Sequence, residues 1–192
     1  MTARASNRHP SEGHASLTAF VADLRQRMTV NVPDFDPLGG GQDLTILFLF
    51  EKPGPMTDAS RNRKPGSGFI SINNDDPTAE ASFHFMKAAA IPRRDTVLWN
   101  VIPWWDGQIA FTSADRHLAM QELDRLLGTL TRLHTVVLVK RTAAKARAHF
   151  RDLRVIESPH PSPKVRATDR ARWDSIPGIW RTAVLEPEQP HD

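Results

Sequence analysis

Leu44-Thr45-Ile46-Leu47-Phe48-Leu49-Phe50-Glu51-Lys52-Pro53-Gly54-Pro55 is the stretch from which the fold can be read. Its first seven residues are apolar or β-branched and uncharged, the composition of a strand buried on both faces inside a parallel sheet. The run stops at Glu51 and Lys52. Pro53-Gly54-Pro55 then imposes a stiff, tight loop in which Gly54 can take backbone angles closed to other residues. In open α/β sheets ligands bind just outside the carboxyl ends of strands, so this exit is the first place to look for chemistry.

Upstream, Leu17, Phe20, Val21, Leu24 and Met28 recur at helical spacing and predict an amphipathic helix over 15–28, followed by a Pro- and Gly-rich loop over 31–43. Downstream, 56–74 is polar and basic and reads as one long functional loop. Asp76 and Pro77 are an N-cap and first-turn pair that starts a helix running to about residue 90, with Phe83 and Met86 on one side. A second strand is expected over 96–101, a capped helix over 112–127, and a very apolar third strand over 135–139. A short basic helix over 141–150, a fourth strand over 153–157 and a final helix over 167–185 complete the pattern, the last broken or kinked at Pro177-Gly178. Strands alternating with helices imply a three-layer α/β/α sandwich around a central four-stranded parallel sheet.

At 192 residues the chain fits one domain, expected over 14–186 between disordered tails at 1–13 and 187–192. With 40% hydrophobic and 24% charged residues the composition is that of a globular protein, without an apolar run long enough to cross a bilayer. The first ten residues lack the apolar middle of a secretory signal, so the expected location is the cytoplasm. The absence of cysteine excludes disulfides, thiolate zinc sites, Cys-ligated iron–sulfur clusters and cysteine nucleophiles. The eight histidines show no HxxxH or HxH spacing, and neither a Gly-x-Ser-x-Gly elbow nor a Walker loop occurs. No metal and no cofactor are therefore expected. A net charge of +3 permits a polyanionic partner without demanding one.

Three predicted strands end in loops of unusual chemistry: Glu51-Lys52-Pro53-Gly54, Asn100 to Trp105, and His160-Pro161-Ser162-Pro163. A parallel sheet brings all three to one edge, where their side chains converge on a pocket. Asn100 offers a donor and an acceptor at a strand end. His160 is fixed between prolines, which suits an imidazole held in one orientation. Phe69, in a Gly-flanked loop, either offers a flat stacking surface or plugs the core. Trp104 and Trp105 either line the pocket or pack beneath it.

These residues resemble the uracil-DNA glycosylase superfamily. Glu51-Lys52-Pro53-Gly54 is similar to its first motif, His160-Pro161-Ser162-Pro163 matches its His-Pro-Ser-Pro motif, Phe69 falls where the base-stacking phenylalanine would lie, and Leu98-Trp99-Asn100 resembles the strand end whose asparagine reads the uracil edge. The resemblance covers residues 44–163. It implies a monomer that flips uracil out of DNA and hydrolyses its glycosidic bond, with Phe69, Asn100, Pro53, Gly54 and Ser162 around the base and His160 stabilising charge on uracil O2. Lys164-Val165-Arg166 and Arg170 look like the minor-groove insertion loop, with Val165 as wedge and the cations on phosphates. Lys52 departs from the pattern, because several branches place Asp there to stabilise the sugar cation, and an ammonium has the wrong sign. Glu51 and Asp58 are the favoured substitutes, with Asp75 a third. Two rivals stay open: a uracil- or damaged-DNA binding protein with little turnover, and an unrelated small-molecule α/β enzyme.

Overall fold

Alternate residues of the central strand face two different helical layers, as a period-two strand buried on both sides requires. The computed structural model describes residues 12–28, 30–61 and 64–185. Strand β2 (Ile46–Phe50) is buried at every position. Leu47 and Leu49 join a core with Leu17, Val21 and Leu24 of α1 (Glu12–Met28) and Leu123 and Leu126 of α3 (Ser113–Leu127). Ile46, Phe48 and Phe50 join a second core with Met86 of α2 (Pro77–Ala88) and Trp173, Ile176 and Trp180 of α6 (Arg170–Arg181). The result is a three-layer α/β/α fold.

The sheet has four parallel strands in the order β4 (Thr96–Asn100), β2, β5 (Thr135–Val139) and β6 (Arg154–Ser158). From β2 the chain moves to one side to form β4 and then crosses to the other for β5 and β6. The order thus reverses between β2 and β5, and such a switch point opens a crevice at the carboxyl ends.

Several expectations are corrected. The 56–74 segment is not one continuous loop: Phe69–Ile70 forms β3, which pairs in parallel with β1 (Asp34–Phe35), and Phe35 stacks on Trp99 with ring centroids 3.9 Å apart. Two-residue strands lack the length that makes a periodic signal readable. Phe83 does not share the buried side of α2 with Met86; it is exposed. The basic segment is helical only over α4 (Arg141–Ala144) before a 3-10 turn at Arg147–His149. The final helix is interrupted at Asp169 and not at Pro177. Asp169 ends α5 (Pro163–Thr168) and its carboxylate accepts from the Arg172 backbone N–H as the N-cap of α6. Pro177 stays inside α6, whose buried Trp173, Ile176 and Trp180 hold it against the sheet. The expected tails lie outside the described residues, except that Glu12 and Gly13 belong to α1. Among the described residues no helix is long and apolar enough to cross a membrane.

Candidate active site

The carboxyl ends of all four sheet strands surround one cleft of about 850 Å³, which also takes in the start of α2 and the α5 region. Pro53 and Gly54 line its floor. The floor loop is held beside the neighbouring strand exit, since the Val101 and Ile102 amides donate to the carbonyls of Phe50 and Glu51 at 2.8 and 2.9 Å. Gly54 itself has φ −101° and ψ 176°, and a Cβ there would meet nothing within 4 Å. The backbone freedom that Gly54 offers is therefore not used here. The segment after the loop is instead stiffened by Thr57, whose hydroxyl donates to the Gly54 carbonyl at 2.8 Å, and by close packing of Gly66 against Met56.

Asn100 ends β4 opposite Phe50, is 4% exposed and lines the cleft. Among the described residues no protein group hydrogen-bonds its carboxamide, which leaves a donor and an acceptor for a ligand. His160 also lines the cleft, edge-on to Phe50 at 5.7 Å between ring centroids. Burial, reinforced by the Lys140 ammonium and opposed by Glu51, pushes its pKa down to about 4. The ring is therefore neutral at pH 7 and carries one N–H donor. The turn that presents it closes through the Ser162 amide, which donates to the His160 carbonyl at 2.8 Å. Ser162 lines the cleft and caps α5 through its hydroxyl, which accepts from the Val165 N–H.

Lys140 is a site residue that sequence reasoning missed. It is the first residue after β5, has φ 81°, lines the cleft and forms an ion pair with Glu51. A non-glycine residue at positive φ is uncommon and is held there only by its surroundings. Here its N–H donates to Ser158 O at 2.9 Å while its own carbonyl starts α4. Continuing the register that pairs Leu49 with Leu138 places Glu51 opposite Lys140, so the ion pair spans the switch point. The topology rule that singled out the other three strand ends applies equally to this one.

The remaining candidates separate. Glu51 is at the site, but Asp58 is not among the cleft residues. Its carboxylate accepts from the amide and hydroxyl of Ser60 and from Asn31, and the Ser60 hydroxyl is the largest influence holding it below the usual carboxylate range. Asp75 is exposed, pairs with Lys64 and likewise does not line the cleft. Lys52 is a structural clamp: its side chain is 2% exposed and its ammonium donates to both Asp106 carboxylate oxygens and to Ala110 O. Phe69 sits in β3 outside the cleft lining, which takes Ile70 in its place because successive strand residues face opposite ways. Trp104 is buried in the α1-side core, and Trp105 is tied to Asn31 through its backbone.

In the basic segment, Lys164 and Val165 line the cleft, and Val165 also packs against the Trp173 core. Arg166 lies over the Trp173 ring at 5.9 Å. Arg170 is held by Asp174 at 2.8 and 2.9 Å. Arg172, not singled out from the sequence, is the second cation of this region at the cleft. Its helical offset from Lys164 becomes visible only once the break at Asp169 is known.

No protein-family model matches the chain, and no curated protein matches it in sequence. Among solved structures, mimivirus UNG, a viral uracil-DNA glycosylase crystallised as a point variant in complex with UGI, aligns with 80% of this chain and 66% of its own length, at a TM-score of 0.44 and 12% identity. The chain thus spans just under two thirds of that protein. So distant a likeness transfers no role to any residue, and the site stands on its own geometry.

Proposed function

We propose that the protein is a DNA glycosylase that draws uracil out of DNA and hydrolyses its N-glycosidic bond, leaving an abasic site. The observation that carries this reading is one cleft holding both a buried carboxamide with free hydrogen-bonding capacity, Asn100, and a neutral imidazole, His160, beside the cations Lys164 and Arg172. Enzymes that act on a base take it out of the stack at a cost of a few kcal/mol and read it in a pocket. The Asn100 carboxamide complements the N3–H and O4 of uracil. As the C1′–N1 bond breaks, its electron pair passes to the base and charge gathers on O2, where the His160 N–H donates. Water adds to C1′ and its proton leaves with the base.

Glu51 is the one carboxylate of the three proposed from the sequence that lines the cleft, so it is the group assigned to orient that water. Its pairing with Lys140 tempers its charge, and this favours the second reading, a uracil-DNA binding protein with little turnover. An end-labelled oligonucleotide with a single uracil, incubated with the protein in EDTA and then treated with alkali, separates the two. Strand breaks at uracil support the glycosylase. A mobility shift without breaks supports the binding protein, and the absence of both overturns each. Asn100→Asp should weaken the preference for uracil over cytosine, and an unchanged preference removes Asn100 from base reading.

A further inference from the structure

We propose that Ile109 is the apolar wedge that enters the DNA stack where the base has left. The inference rests on the reading of the cleft as a base pocket. Among the described residues Ile109 is the most exposed large hydrophobic, at 62%, and of the exposed large hydrophobics it alone lines the cleft.

An exposed isoleucine on a free loop would fold back onto the nearest apolar surface, but this one is held out. The buried Lys52 ammonium grips the loop on both sides of Ile109, at the Asp106 carboxylate at 2.8 and 2.9 Å and at the Ala110 carbonyl at 3.2 Å. Asp106 also accepts from the Gln108 N–H at 3.0 Å, and Gly107 turns the chain at φ 84°. Lys52, at the position where the resemblance implies an acid, is thereby assigned to positioning this loop.

The occupant follows from charge and shape together. Lys164 and Arg172 line the same cleft, where Lys140 is already paired with Glu51, and these two exposed cations beside an apolar tip fit a polyanion. A polyanion that also offers an apolar slot is a duplex with one nucleotide extruded, into which minor-groove proteins insert Ile, Leu or Phe. Val165, the wedge suggested by the sequence, is less free, because it is half-buried against the core of Trp173, Ile176 and Trp180.

The test compares excision from double-stranded and single-stranded oligonucleotides carrying the same uracil. For Ile109→Ala the ratio of duplex to single-strand activity should fall about tenfold, because only the duplex has a stack to hold open. Ile109→Leu should keep that ratio within about threefold of wild type, since apolar bulk is what the wedge supplies. An unchanged ratio in Ile109→Ala, or a wild type that acts on single strands alone, overturns the wedge while leaving the glycosylase reading intact. A wild type that releases uracil from neither substrate overturns the reading itself and the wedge with it.

Discussion

His160 combines a place in the cleft lining with a measurable consequence for stability. Burial and Lys140 hold its pKa at about 4, against the ordinary value of 6.5. Between these values the unfolded chain binds a proton that the native state does not. The contribution is therefore fully present above the unfolded pKa and is lost as pH falls through the folded one. Denaturant midpoints of the wild type should drop relative to those of His160→Asn between pH 7 and pH 4, and parallel curves would mean that the ring is hydrated. In the excision assay His160→Ala should lose on the order of 10²-fold or more in rate, as for one preorganised donor; a wild-type rate would end its catalytic role. Two glycines make a second contrast at this scale. A Cβ at Gly66 would lie 2.5 Å from Met56 O, whereas one at Gly54 meets open space. Gly66→Ala should destabilise by about 1–3 kcal/mol through overpacking, and Gly54→Ala should change the midpoint by about 0.5 kcal/mol or less.

Among the elements, the loop after β4 depends on an ion pair with unequal partners. The Lys52 side chain is 2% exposed and that of Asp106 is 40% exposed. Asp106→Ala strands a buried ammonium and should cost about 3–5 kcal/mol. Lys52→Met leaves a carboxylate that water reaches and should cost less, about 1.5–3 kcal/mol. Chemical denaturation of the two variants gives the order, and the reverse order would mean that Lys52 is hydrated in solution. The same clamp should make Lys52→Met resemble Ile109→Ala in its duplex-to-single-strand ratio. The helices carry a related lesson. Proline usually marks a break, yet at Pro177 the burial of one helix face outweighs the lost hydrogen bond, whereas Asp169 offers a capping carboxylate that starts a new helix.

For the molecule as a whole, a net charge of +3 says little, and what matters is which cations the fold leaves at the cleft. Lys164 and Arg172 line it, Arg172 with the Asp169 carboxylate no closer than 3.9 Å, while Arg170 is held at 2.8 Å by Asp174. Removing either cleft cation should lower the slope of log binding constant against log salt by about 1, as expected for one lost phosphate contact. Arg170→Ala should leave the slope near that of wild type. Titrations of a uracil-containing duplex at several salt concentrations check both, and equal losses at all three positions would assign Arg170 to the DNA as well. The sequence alone determined the layers and the edge at which the site lies, because a strand buried on both faces and alternation of strands with helices are local patterns that parallel topology extends. It also placed Asn100 and His160, each at the end of its own strand. The tertiary structure alone decided which charges survive at that edge. Lys52 and Asp106 are 54 residues apart, Glu51 and Lys140 are 89 apart, and no local pattern announces such pairs. The β1–β3 pairing that turns Phe69 away from the cleft likewise joins segments distant in sequence. A side chain's availability depends on what packs against it, and that is set by contacts the chain makes only once it has closed on itself.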